Sequence, residues 1–309
     1  MALEFNRTFD PHYGEAVKVA PNVRRLTATN SGPFTFSGTN SFIIGEGRLA
    51  VLDPGPDDPG HVGALLDAIA GETVEAILVS HTHRDHSPGA RYLREATGAP
   101  IKAAGPQVAA RPLQAGETNR LDASADHDFK PDEVLADGAQ INIGDVTLEA
   151  VATPGHTANH LVFSMPEAGI LFSGDHVMAW STTVVAPPDG AMGDYMASLE
   201  RLLARDERLY LPAHGGPVSD PERYVRGLRA HRKMREQVIL ERLQKGDRSI
   251  AGIVENIYRD IDPRLHGAAA LSVFAHLEEL VAQGLVSTTD AVRLDAEFAP
   301  ARPRRPGGA

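Results

Sequence analysis

Four short motifs rich in histidine and aspartate stand at the ends of apolar runs, and they constrain this chain more than anything else in it. The first, His81-Thr-His83-Arg-Asp85-His86, follows directly on Val74-Glu-Ala-Ile-Leu-Val-Ser80. The second is Thr153-Pro-Gly-His156-Thr-Ala-Asn, the third Phe172-Ser-Gly-Asp175, and the fourth Leu211-Pro-Ala-His214-Gly-Gly. A strand end is a rigid place from which a side chain can be aimed, and several strand ends can aim at one point only when the strands lie in sheets. The motifs therefore require a sheet-based fold with one convergent site.

The spacing within the motifs makes that site a metal centre. His81 and His83 sit two apart in an extended segment, point the same way and can chelate one ion. His156 arrives from another strand end to complete a three-histidine set with a fourth position open. Asp85 and His86 turn the other way and can take a second ion with His214, while Asp175, with two oxygens, suits a bridge. Two ions roughly 3.5–4 Å apart can share a hydroxide that exists near neutral pH. The chain has no cysteine, so disulfides and thiolate ligands are excluded and histidine and carboxylate must hold any metal.

The rest of the chain frames this centre. Length and composition (309 residues, 42% hydrophobic, 23% charged) fit one large domain with a small appendage. No run approaches the roughly 20 apolar residues of a membrane helix, and residues 1–10 lack the apolar core of a secretion signal, so a cytoplasmic protein without membrane contact is expected. Residues 1–220 carry 15 basic and 29 acidic groups, whereas residues 221–309 carry 15 and 12. An acidic first part of that kind does not draw in polyanions over long range.

Apolar periodicity predicts strands over 40–45, 48–53, 74–80, 146–151, 161–165, 169–173 and 208–211, and helices over 61–70 and 195–204. A further helix is expected after His86, with Ser87 as N-cap, Pro88 at its first helical position and a stop near Gly98. Residues 105–145 read as an irregular, loop-bearing insertion. From Pro221 to Lys245 a long basic amphipathic helix is expected, then helices over 250–258 and 268–283 and a short hairpin over 286–294. Three helices and a hairpin suggest a winged-helix-like domain over 221–299, with a disordered Pro/Gly/Arg-rich tail over 300–309.

The four motifs, in this order over residues from about 35 to 216, resemble those of the metallo-β-lactamase fold superfamily. The resemblance implies a four-layer αβ/βα sandwich with helices outside and two mixed sheets inside. It implies His81, His83 and His156 on one metal, Asp85, His86 and His214 on the other, and Asp175 between them. Asp53 matches an early aspartate of the family and, with Asp85, would orient ligands and water. His160, His176 and Trp180 match no ligand position; a place behind the ligands or along the pocket is weighed for each against plain core packing. His12, His61, His127, His231, His266 and His276 read as surface or helix residues.

Within the superfamily, the branch with a Cys ligand is excluded because Asp175 takes that place. The 38 residues between Asp175 and His214 leave no room for the extra domain of the large RNA-processing enzymes. The appendage after the last motif makes the chain most similar to the group of beta-lactamase-like protein 2. Animal members of that group cleave single-stranded RNA, so the resemblance leaves two substrates open: a small ester, thioester or lactone, and single-stranded RNA. The arginines and lysine at 223, 226, 229, 232, 233 and 235 favour a polymer; the acidic first part opposes it. The expected protein is a dinuclear hydrolase attacking with a metal-bridging hydroxide. Its two divalent ions are zinc in the first place, with iron or manganese as alternatives. A non-catalytic metal-binding regulator using the winged helix on DNA is the other reading, and the open three-histidine set argues against it.

Overall fold

The computed structural model describes residues 3–259, 262, 265–289 and 291–301. A first sheet runs in sequence order through β1 (Val17–Ala20), β2 (Val23–Thr27), β3 (Asn40–Glu46), β4 (Arg48–Leu52), β5 (Thr73–Leu78), β6 (Ile101–Ala103) and β7 (Glu133–Val134). Its first four strands pair antiparallel and the rest parallel. A second sheet holds β8 (Gln140–Ile143), β9 (Val146–Ala152), β10 (Leu161–Met165), β11 (Ile170–Gly174) and β12 (Leu209–Pro212), with β12 beside β11 and β8 at the far edge.

Strand periodicity explains why the central runs, such as 42–44, 49–52 and 161–163, are apolar throughout. Successive side chains face opposite ways, so a strand buried on both faces needs no polar alternation. Phe42, Ile44, Ala50, Leu52, Ala76 and Leu78 face Leu148, Ala150, Leu161, Phe163 and Phe172 between the sheets. Their neighbours Ile43, Leu49, Val51 and Ile77 face outward onto α1 (Pro59–Ala68) and α2 (Gly89–Thr97) through Val62, Leu65, Ala90 and Leu93. On the other side Val151, Val162 and Leu171 pack on Tyr195, Leu199 and Leu202 of α3 (Met192–Leu203) and on Val225 and Leu228 of α4 (Pro221–Gln244). The result is helix, sheet, sheet, helix, the four-layer sandwich with mixed sheets.

α4 serves two cores. Its first half packs on the second sheet, while Ile239 and Leu243 join α5 (Ile250–Ile257), α6 (His266–Ala282) and the pair β13 (Val286–Thr288) and β14 (Phe298–Pro300) in a separate apolar cluster. Ala275 of α6 also belongs to the cluster of the second sheet, so the appendage is packed onto the sandwich.

Several expectations need correction. α2 starts at Gly89 with no side-chain cap, because Pro88 rather than Ser87 stands at the N-cap position; the Ser87 hydroxyl donates to Asp126 Oδ2 at 2.7 Å. The stretch 105–145 is not wholly irregular: it carries β6's partner β7 and the edge strand β8, short elements whose mixed composition hid them. The terminal hairpin is wider than 286–294, since β13 pairs with 298–300 and Ala301 N donates to Leu285 O at 2.9 Å. Pro300 is therefore in a strand rather than in a tail, and residues 302–309 lie outside the described residues. His61 and His276 are helix residues but buried.

Candidate metal centre

Each motif sits where a strand ends at the same edge of the sandwich. β5 runs out at Leu78, and Ser80 O then accepts from Leu161 N of the other sheet at 2.8 Å, fixing where His81 begins. After β9, Gly155 takes φ +139°, and a Cβ there would lie 2.3 Å from Tyr195 Cα, so α3 closes on the turn that presents His156 only because the residue is glycine. After β11, Gly174 at φ +51° passes so close to His160 that a Cβ would sit 2.6 Å from Nε2. After β12, Asn40 of the first sheet bolts the fourth motif down. Its backbone N–H donates to Ala213 O at 2.7 Å and its Nδ2 to Pro212 O and Gly215 O at 3.0 Å.

These turns bring the seven sequence-predicted ligand residues together. His81 Nε2 lies 3.0 Å and His156 Nε2 3.1 Å from His83 Nδ1. His86 Nε2 and His214 Nε2 lie 3.3 and 3.2 Å from Asp85 Oδ2. The Asp175 carboxylate stands between the sets, with Oδ1 3.3 Å from His214 Nε2 and Oδ2 3.7 Å from His156 Nε2.

The backs of the rings decide what faces inward. His156 Nδ1 meets Val184 O at 2.6 Å and His214 Nδ1 meets Gly38 O at 3.1 Å; a carbonyl only accepts, so both Nδ1 atoms donate outward and both Nε2 atoms are turned to the cluster. His86 Nδ1 faces Asp53 Oδ2 at 3.1 Å with the same consequence. The Ser80 hydroxyl gives its proton to Asp53 Oδ2 at 2.7 Å and so accepts from His81 Nδ1 at 3.1 Å. His86 Nε2, His214 Nε2 and Asp175 Oδ1 are buried with no hydrogen-bond partner among the described residues. Buried imidazole nitrogens and carboxylate oxygens converging from all four motifs form donor sets that fit two divalent cations.

Asp53 does not face the cluster itself. It is 2% exposed, holds His86 and Ser80, and sits at φ +49°, a left-handed conformation that costs an aspartate on the order of 1 kcal/mol. Hydrogen bonds from Ser80 N at 2.7 Å and between Asp53 N and Leu78 O at 2.9 Å maintain it. His160 lies behind the ligands: its Nε2 accepts from Asp175 N at 3.2 Å and its Nδ1 meets Thr153 Oγ1 at 2.9 Å. His176 is turned away into the core against Tyr195, ring centroids 4.6 Å apart, and neither ring nitrogen has a partner among the described residues. Trp180 is half-buried, stacked on Phe36 at 4.9 Å and against Gly215, which places it on the wall beside His214.

Two contributors escaped the sequence reading. Asn159 donates to Thr82 Oγ1 at 2.9 Å and Pro106 O at 3.0 Å, tying the first motif to the 105–145 segment. Arg232, read as one of a basic helix face, is 4% exposed and donates to Thr183 O, while Thr183 Oγ1 donates to Asp175 O at 2.6 Å. Only its packing distinguishes it from its neighbours, and no sequence signal marks it.

A family model described as the metallo-beta-lactamase superfamily matches residues 34–214, and one described as the beta-lactamase associated winged helix domain matches 249–293. A beta-lactamase-like protein 2 homolog of Drosophila melanogaster is 28% identical over 91% of this chain and 94% of its own. An atrochrysone carboxyl ACP thioesterase of Aspergillus terreus (strain NIH 2624 / FGSC A1156) is 25% identical over 80% of this chain and 71% of its own. A beta-lactamase domain protein from Burkholderia ambifaria shares the fold with a TM-score of 0.79 at 24% identity, covering 97% of both chains. The chain thus belongs to the metallo-beta-lactamase superfamily and carries that superfamily's associated winged helix domain.

Proposed function

We propose that this protein is a dinuclear metal-dependent hydrolase of small acyl esters or thioesters. The observation that carries this reading is the Asp175 carboxylate, one oxygen toward each donor set. Two bound divalent ions would supply an acidified water and a polarised carbonyl oxygen. The chain's own residues hold the geometry. Asp53 orients His86 and, through Ser80, His81. Asp85, with 27% of its side chain exposed, is the ligand that reaches solvent and is assigned the orientation of the incoming water.

The acyl substrate is favoured over RNA by the state of the basic helix. Arg226 pairs with Glu222 at 2.7 Å, Arg229 with Glu200 at 2.7 Å, and Arg232 is buried, so three of its cations are already engaged. A thioesterase among the relatives points the same way. The DNA-regulator reading loses ground because no residue of α6 between Ala268 and Leu280 is exposed.

A hydrolysis panel tests the proposal: metal-loaded protein on thioesters, esters, lactones and an RNA oligomer. Wild type and Arg226→Glu/Arg229→Glu/Lys233→Glu are run side by side. Turnover of an acyl substrate, equal in both proteins, is expected. RNA cleavage that collapses in the variant, with a salt slope flattened by about 0.7 per lost phosphate contact, would replace the acyl reading with a nuclease.

A further inference from the structure

A cavity of about 330 Å³ lies between the sandwich and the appendage, walled by Phe34, Leu121 and Val184 on one side and Ala268, Ala270 and Leu271 on the other. That is the small end of the range for ligand cavities, and the walls are apolar. Each wall residue of the sandwich belongs to a loop that holds the metal centre. Val184 gives its carbonyl to His156; Phe34 lies four residues before Gly38, whose carbonyl holds His214. Leu121 starts the turn whose Ser124 O accepts from Arg84 N at 2.8 Å, within the first motif. The cavity therefore adjoins the loops that hold the ligands in place, while none of the seven ligand residues lines it. Arg120 lies on its rim, exposed and without a hydrogen bond or ion pair among the described residues, and also lines an adjoining cavity of about 250 Å³.

We infer that this cavity seats the apolar chain of an acyl substrate whose anionic group meets Arg120, so that α6 of the appendage forms part of the specificity wall. The inference rests on the acyl-hydrolase reading. The reaction adds water across the acyl C–S or C–O bond, releasing a carboxylic acid and a thiol or alcohol, and needs no other reactant. Apolar walls reward each buried methylene, and the free cation selects charge.

The test uses the zinc-loaded full chain with acetyl, butyryl and hexanoyl thioesters of neutral N-acetylcysteamine and of anionic coenzyme A, and with hexanoate binding followed by calorimetry. Expected is a rise in kcat/KM of about threefold per added methylene. Ala268→Trp or Ala270→Phe should cost about tenfold on hexanoyl and leave acetyl unchanged; Phe34→Ala, at an exposed site, should weaken hexanoate binding without touching the fold. Arg120→Ala should raise KM for the coenzyme A thioesters about tenfold and leave the neutral ones alone. Turnover that is flat with chain length and unaffected by Ala268→Trp would overturn the cavity while leaving the hydrolase in place. Hexanoate binding that Ala268→Trp abolishes, without turnover of any acyl substrate, would instead uphold the cavity and sink the acyl-hydrolase reading. Absence of both binding and turnover removes the two together.

Discussion

The two halves of the candidate metal centre are built on opposite electrostatics. In the first, burial and neighbouring histidines press the rings toward neutrality: His81 is held well below its ordinary value and His83 is lowered to about 3. In the second, burial acts the same way on the rings but Asp85 and Asp175 outweigh it, raising His86 well above its ordinary value and His214 to about 10. Those carboxylates are in turn drawn below their ordinary range against their own burial, chiefly by His86 and His214. His81 and His83 of the first set are thus pressed toward the neutral form, whereas His86 and His214 of the second are pressed toward the protonated one. If two ions bind as proposed, the one held by His86 and His214 would have to displace protons that His81 and His83 do not carry.

The sharpest way to break this comparison is Asp175→Ala, which removes the one group that both halves share. Turnover should fall by about three orders of magnitude and the second ion should be lost while the fold survives. Paired activity and elemental analysis read it, and retention of both ions at full activity would take Asp175 out of the site.

Asp53→Asn acts one step back. It keeps the shape but weakens the acceptor behind His86 and Ser80, so metal affinity should drop about 10- to 100-fold, read by competition with a chelator. A loss confined to the first set would contradict the contacts described, because the direct bond is to His86.

A smaller, graded effect is expected from pH. Since His214 titrates near 10 without an ion, binding at the second set below that value displaces a proton, and affinity should fall about tenfold per displaced proton for each unit of acidification. His81, held well below its ordinary value, and His83, lowered to about 3, have no proton to displace between pH 5 and 8, so these two ligands should add no such loss there. Two metal-binding isotherms that moved in parallel with pH would erase the distinction between the halves.

Much of this was legible in the sequence because it depends on local pattern. Strand runs such as 161–165 are apolar on both faces, and the His-x-His spacing states which side chains share a direction. What stayed hidden depends on packing or on weak elements. β7 and β8 are short, partly polar and flanked by Gly and Asp; the wing's second strand at 298–300 lies beyond a long connection. Arg232 looks in sequence like Arg226 and Arg229, yet one faces the interior and the others the surface, because α4 is amphipathic over a sheet it cannot reveal alone. His160 and His176 were inseparable by spacing: one holds Asp175 from behind and the other packs on Tyr195.

The central claim is that two unlike donor sets joined by Asp175 hold two ions, and elemental analysis of chelator-free protein at neutral pH tests it most directly. After reconstitution with excess zinc, iron or manganese, about two ions per chain are predicted, the second leaving first on acidification. A value fixed at one per chain under every such condition would contradict the dinuclear centre.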